Sequence, residues 1–375
     1  MRFIAASCVV ACAVLRLTAQ ANGQQDFETL SKRAAAALQS DPAEAAKLYR
    51  QAVETQPAWA EGWFYLAASL YEIRQYGESQ KAFERAAILA PDNGTVWAFL
   101  GLCEYDMGGY QKALADIRKG EGLGLGNDRQ FISSIRNHAA LIYLRRAEFG
   151  AAMEQLEPLA RLGDDSPATI ENIGVSALGL KYAPSDIPSA KKPLIELAGR
   201  AWWTLSAQHT EEARALLEDL VKQYPNEAGV HYLYGLYLEK TQPDSALQEF
   251  QKEIEIRPSH VPARLQAAMV EMKIGAAETA VKLALDAVGL EPANPYCYVG
   301  LGRAYLSAAQ PAKAAQVLEK AVKLAPQDRQ PHLYLAQAYQ KLGRVAEAEK
   351  EQAAFSRLKA SQDPVSLLNG SGMHP

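Results

Sequence analysis

Residues 261–294 read VPARLQAAMVEMKIGAAETAVKLALDAVGLEPAN, and residues 295–328 follow without a break as PYCYVGLGRAYLSAAQPAKAAQVLEKAVKLAPQD. Each stretch is 34 residues long, and the same chemistry recurs at the same places in both. Position 8 is small (Ala268, Gly302), as are position 20 (Ala280, Ala314) and position 27 (Ala287, Ala321). Small residues at these points let two helix backbones approach closely. Position 32 is proline (Pro292, Pro326), which cannot continue a helix and stops the second one before the next copy begins.

Outward from this pair, the position-8 residues run Ala67, Gly101, Ala140, Gly174, Ala201, Gly235, Ala268, Gly302 and Ala336. Their spacings are 34, 39, 34, 27, 34, 33, 34 and 34 residues. A degenerate first copy precedes them, legible through Ala45, Tyr49, Ala52 and Pro57. The pattern resembles the tetratricopeptide repeat, a helix–turn–helix unit of that period. The resemblance implies an all-α fold, a right-handed superhelical solenoid whose core is distributed one layer per repeat.

The two irregular spacings suggest blocks. Five extra residues fall in Gly120-Glu121-Gly122-Leu123-Gly124-Leu125-Gly126, where alternating glycines lack helical stiffness. A phosphate-cradling loop is not supported there, since no strand precedes it and no Lys-Ser/Thr follows. Seven residues are missing in Lys181–Pro193, where three prolines predict a truncated second helix. The expected organisation is a leader at 1–21, an N-terminal block at 22–125 and an irregular middle block at 126–193. A regular block at 194–360 and a disordered tail at 361–375 complete it.

Met1–Ala21 reads as an export signal: Arg2 is followed by the apolar run Phe3–Leu15 and the small-x-small pattern Ala19-Gln20-Ala21. An uncleaved anchor, or lipidation at Cys12 after Val9-Val10-Ala11, would use the same residues, and Arg16 near the end of the apolar run counts against the export signal and the anchor alike. The expected location is therefore exported, periplasmic or secreted. Cys103 and Cys297 lie in distant repeats and read as core fillers, because a disulfide needs Cα atoms within about 7 Å.

Chemistry is sparse in the sequence. The net charge is −4, with no basic patch of the kind nucleic acid requires. His231 and His332 stand at position 4, in register with Trp63 and Trp97, and so read as packing residues rather than bases. No His-Glu-x-x-His, Gly-x-Ser-x-Gly or Cys-x-x-Cys occurs. Asn93-Gly94-Thr95 and Asn369-Gly370-Ser371 match a glycosylation acceptor, although the first is more simply a turn between repeats. No catalytic residue, cofactor or metal is expected.

What the resemblance implies instead is a binding surface, drawn from positions 2, 5, 9, 12 and 13 on the inner face of each first helix. In the C-terminal block these supply Trp202, Leu205, Tyr232, Leu236, Leu265, Met269, Met272, Tyr296, Val299, Arg303 and Leu306. Leu333, Gln337, Gln340 and Lys341 follow. The expected ligand is an apolar or aromatic protein or peptide segment with one acidic group for Arg303. Basic clamps that hold a partner's terminal carboxylate in some proteins of this kind are not matched, because the corresponding positions here are mainly apolar. The chain looks like exported bacterial repeat proteins that act as envelope, secretion or polymer-export scaffolds. Two other function classes use the same residues: a self-associating structural protein, and an enzyme with a site in the irregular 120–193 region.

Overall fold

The computed structural model describes residues 26–182 and 186–362. The expected leader, the Asn369 acceptor and the tail beyond residue 362 lie outside the described residues. The chain divides into two compact bodies, Met1–Arg146 and Ala147–Pro375, a boundary that falls inside the expected middle block. The described residues form helices joined by short turns, as an all-α repeat array requires.

In the N-terminal body, α1 (26–37) and α2 (Pro42–Thr55) precede the pairs α3 (Ala60–Glu72) with α4 (Tyr76–Leu89) and α5 (Gly94–Asp106) with α6 (Tyr110–Leu123). Helix α7 (Arg129–Arg145) ends it. The C-terminal body begins with α8 (Phe149–Leu162) and α9 (Pro167–Ala177). Five pairs follow: α10 (Lys192–Ser206) with α11 (Thr210–Gln223), and α12 (Val230–Leu238) with α13 (Pro243–Ile256). The rest are α14 (Val261–Lys273) with α15 (Ala277–Leu290), α16 (Pro295–Ser307) with α17 (Pro311–Leu324), and α18 (Arg329–Lys341) with α19 (Val345–Gln362).

Local chemistry starts and stops these helices. Asn93 accepts from the N–H groups of Thr95 and Val96, and Asp128 and Asn294 cap α7 and α16 in the same way. Proline occupies the first turn of α2, α13, α16 and α17, where its missing N–H costs nothing. Within a pair the turn is made at position 15, whose φ is positive at Arg74, Gly108, Ala147, Gln208, Gly275, Ala309 and Gly343. The non-glycine members accept a strain of about 1 kcal/mol to keep that turn.

Position 32 has a second use. Because its proline sits in the turn between repeats, its carbonyl is free to accept, and the position-4 side chain of the next repeat reaches it. Trp63 Nε1–H donates to Pro57 O at 3.0 Å, Trp97 Nε1–H to Pro91 O at 2.9 Å, and the Tyr298 hydroxyl to Pro292 O at 2.9 Å. His231 Nε2 lies 2.8 Å from Pro225 O, and His332 Nε2 lies 3.3 Å from Pro326 O. The histidines therefore do belong to the tryptophan register.

Buried residues form separate clusters along each body, around Phe83, Phe250, Ala284, Ala287, Tyr298 and Ala314 among others. Ala280, Ala287, Ala314 and Ala321 are fully buried at the crossings, as the pattern requires. Cys103 and Cys297 are free and fully buried.

Both irregular regions depart in detail from the sequence reading. Helix α6 continues through Gly120 and Gly122, and Gly124, with a positive φ, makes the stop that proline makes in other repeats. Gly120 serves a close approach: a Cβ there would lie 2.6 Å from the Gly94 carbonyl oxygen, whereas added Cβ atoms on Gly122, Gly124 and Gly126 would meet nothing within 4 Å. In the second region, the described residues hold a 3-10 turn at Ser189–Lys191 where a full second helix stands in other repeats. Helix α9 therefore packs directly on α10. Gly174 and Gly199 face each other's helix, and added Cβ atoms would stand 2.0 Å from Ile195 O and 2.1 Å from Ile170 O.

Candidate functional site

Inner-face side chains of three successive first helices in the C-terminal body meet at one open recess of about 230 Å³. Met269, Met272 and Lys273 come from α14, Arg303 and Leu306 from α16, and Tyr334 and Gln337 from α18. The helices present these side chains together because positions 9, 12 and 13 project from the same end of each first helix, one repeat after another. Arg303 sits at the centre and is half-buried. Its Nη1 donates to Met269 Sδ at 3.6 Å, and its guanidinium carbon lies 5.1 Å from the centre of the Tyr334 ring. No carboxylate lies within ion-pair distance of Arg303 among the described residues. The neighbouring Lys273, by contrast, is neutralised by Glu239 at 2.5 Å.

The recess thus collects Met269, Arg303 and Gln337 of the expected inner face, together with Met272 and Leu306. It also includes Tyr334, which the sequence reading passed over. Tyr334 is at position 6, 31 residues after Arg303, so a basic position 9 followed by an aromatic position 6 in the next repeat is the signal that could have found it.

Other expected residues lie elsewhere. Val299 is buried in the cluster around Tyr298. Tyr232 packs between helices, 5.9 Å from the Phe250 ring and 4.8 Å from His260, and burial pushes its hydroxyl up to about 12. Leu236 packs on the same cluster, and Leu265 leans into space left by Gly300. Leu333 is half-buried. Position 5 therefore points into the stack, whereas position 9 divides: Met269, Arg303 and Gln337 line the recess, while Leu236 packs against neighbouring helices. Trp202 is half-buried, and its Nε1–H donates to Glu157 Oε1 at 3.2 Å. Tyr296 is 56% exposed, unlike Tyr232. Its hydroxyl is pushed up by burial and by the charges of Asp328 and Glu154.

Two further groups of ionisable residues are internal. Glu253, fully buried on α13, receives the Gly229 N–H on both carboxylate oxygens, at 2.9 and 2.8 Å. His260 Nδ1 stands 2.9 Å from Glu253 Oε1, and Arg257 Nε forms an ion pair with the same oxygen at 3.5 Å. Burial holds both His260 and Arg257 below their ordinary values. In the N-terminal body, burial pushes Glu104 up to about 7, against the pull of Lys112 at 2.5 Å. Among the described residues, no group of three or more His, Cys, Asp or Glu side chains is placed to hold a metal ion. No described helix is long and apolar enough to cross a membrane.

Models of the tetratricopeptide repeat match residues 60–93, 204–261 and 305–354. Among solved structures, a MamA from Desulfovibrio magneticus RS-1 is 24% identical, with a TM-score of 0.41, covering 45% of this chain and 97% of its own. A second MamA crystal structure is 16% identical, with a TM-score of 0.40, covering 48% of this chain and 98% of its own. No curated protein matches the chain. Recurring paired helices, small residues at their crossings and matched segments in both bodies show that this chain carries tetratricopeptide repeats.

Proposed function

We propose that the chain is a non-catalytic scaffold that holds a partner protein by an extended apolar segment laid along α10, α14, α16 and α18, with its anchor at the Met269–Arg303–Tyr334 recess. Tetratricopeptide repeats are protein-interaction modules, and their stacked first helices offer a continuous surface. One observation carries the finer reading. Arg303 is a half-buried cation, braced by a thioether and a ring, with no carboxylate to neutralise it among the described residues. Methionine walls accept varied apolar side chains, and a guanidinium held flat offers a fork for one carboxylate. The segment is therefore apolar with a single acidic group, and Tyr296 and Trp202 extend the contact.

Fluorescence anisotropy with paired synthetic peptides tests this. The pair shares a Leu/Phe-rich decamer and differs in one central Asp or Asn. The Asp peptide should bind more tightly to the wild type, and Arg303→Gln should weaken it about tenfold, the loss of one charge-assisted hydrogen bond. Tyr296→Ala should weaken binding with its melting temperature nearly unchanged, whereas Tyr232→Ala should cost about 2 kcal/mol of stability. Equal affinity of both peptides for wild type and Arg303→Gln would remove the anchor.

We further propose that the scaffold works outside the cytoplasm, in the periplasm or beyond, after cleavage near Ala21. The leader pattern of Met1–Ala21 supports this. N-terminal sequencing of the protein from its native host should begin at or near Asn22, and a soluble species that retains Met1 would refute it.

A further inference from the structure

The fourth repeat position does the same job in several repeats with chemically different donors. Trp63 and Trp97 hold the preceding proline carbonyl with an indole N–H, which does not titrate. At His231 the same bond is made by a ring nitrogen, and the ring has a second partner. Nε2 is 2.8 Å from Pro225 O, while Nδ1 is 2.5 Å from Glu249 Oε2 on α13. His231 and Glu249 are both buried. A neutral imidazole carries one N–H and one lone pair, so it can donate to only one of two acceptors. The other nitrogen would then set its lone pair against an oxygen.

We propose that His231 is an imidazolium in the folded chain, donating to Pro225 and Glu249 at once. Loss of that proton would then unfasten one side of the α12–α13 hairpin, making this repeat a pH-operated latch. With the proton gone, one tautomer keeps the carbonyl bond and the other keeps the carboxylate bond, but neither keeps both. Helix α12 is a first helix of the array, nine residues long, so the latch acts on the wall of the inner face between α10 and α14.

The charged groups bearing on the ring are Glu249 and Lys252, both on α13, with the Pro225 carbonyl from the turn after α11. The Glu249 bond is the largest influence and raises the His231 value, while burial and Lys252 oppose it. Burial also opposes ionisation of Glu249, but the bonds from His231 and Lys252 outweigh it and hold its value down. Because the raised value belongs to the folded chain, the His231 contribution is complete below the ordinary 6.5 and is lost as pH rises through the folded value. Glu249 sets the acid edge, since its contribution is lost as pH falls through the carboxylate range. His332 repeats the arrangement with Glu351 at 2.5 Å and a longer carbonyl contact of 3.3 Å.

The test uses the full chain with nitrogen-labelled histidine. Ring resonances of His231 should show both nitrogens predominantly protonated at about pH 6.5, where a free imidazole is half titrated, and should pass to a singly protonated form only at higher pH. His231→Tyr, after Tyr298, keeps a donor for Pro225 and titrates only near about pH 10. The melting-temperature advantage of wild type over His231→Tyr should shrink by about 2–4 °C between about pH 6 and pH 9. The difference between the two chains is the proper measure, because Glu104 adds a slope of the same sign from the N-terminal body. A neutral, singly protonated His231 at about pH 6, or a pH-independent difference in melting temperature, would overturn the latch. Should the tyrosine variant fail to fold, Glu249→Gln takes its place. It should bring the His231 titration down towards the ordinary value, and an unmoved titration would equally overturn the proposal.

Discussion

Gly174→Ala is expected to destabilise the C-terminal body by about 3 kcal/mol or more, at or beyond the upper end of ordinary overpacking. The added carbon would stand 2.0 Å from the Ile195 carbonyl oxygen, which is backbone and cannot rotate away. Gly199→Ala would press on Ile170 O at 2.1 Å from the opposite side of the same crossing. Only a separation of α9 from α10 relieves either clash, and that separation exposes Ile170, Ile173, Leu194 and Ile195, all buried in this region. Gly150 and Gly289 provide the control. They lie on exposed faces of α8 and α15 with nothing within 4 Å of an added Cβ, so alanine there should stabilise by up to about 1 kcal/mol through helix propensity. Urea unfolding of the four variants checks the contrast. A Gly174→Ala chain within about 1 kcal/mol of wild type would mean that the two helices are not in backbone contact.

Glu253→Ala should be nearly as damaging, at about 3–5 kcal/mol, because it breaks a buried ionic cluster from one side. The Gly229 N–H would lose its acceptor at the start of α12, where the backbone has φ of +91°. Arg257 would keep its burial and lose its counter-charge. Glu253→Gln retains an oxygen for Gly229 without the charge and should fall between wild type and alanine. Hydrogen exchange locates the effect. Protection should fall first in α12 and α13 and little in the N-terminal body, since repeats couple chiefly to their neighbours. Uniform loss across the chain would contradict a core built in layers.

The contrast between Gly174 and Gly302 shows what was legible beforehand. Both were readable as small position-8 residues from spacing alone. Gly302 meets its own second helix, where a Cβ would lie 2.4 Å from Leu318. Gly174 meets α10 instead, because the described residues of its repeat hold a 3-10 turn in place of a full second helix. The prolines of Lys181–Pro193 announced the defect but not which helix would fill the gap. At Gly120–Gly126 the stretch divides: Gly120 stays helical and packs closely on Gly94, while Gly124 ends α6.

The candidate site divides in the same manner. Met269, Arg303 and Gln337 were marked by position 9 and line the recess, whereas Leu236, at the same position, packs on the Phe250 cluster. Tyr232 and Val299 were marked by position 5, and neighbouring helices cover them. Their apolar character suits a groove or a stack equally well, so composition could not separate the two uses.

By itself the sequence determined the helices, their period, the residues at which they cross and the points where they stop. Those properties follow from backbone geometry and side-chain size within one repeat, and they recur whenever the 34-residue pattern recurs. Tertiary structure alone decided which inner-face residues remain free, which helix α9 adopts as its partner, and which histidine faces two acceptors. Each of these depends on atoms brought together from segments about 6 to 45 residues apart, and burial sets their energetics by removing the water that would otherwise satisfy each group separately.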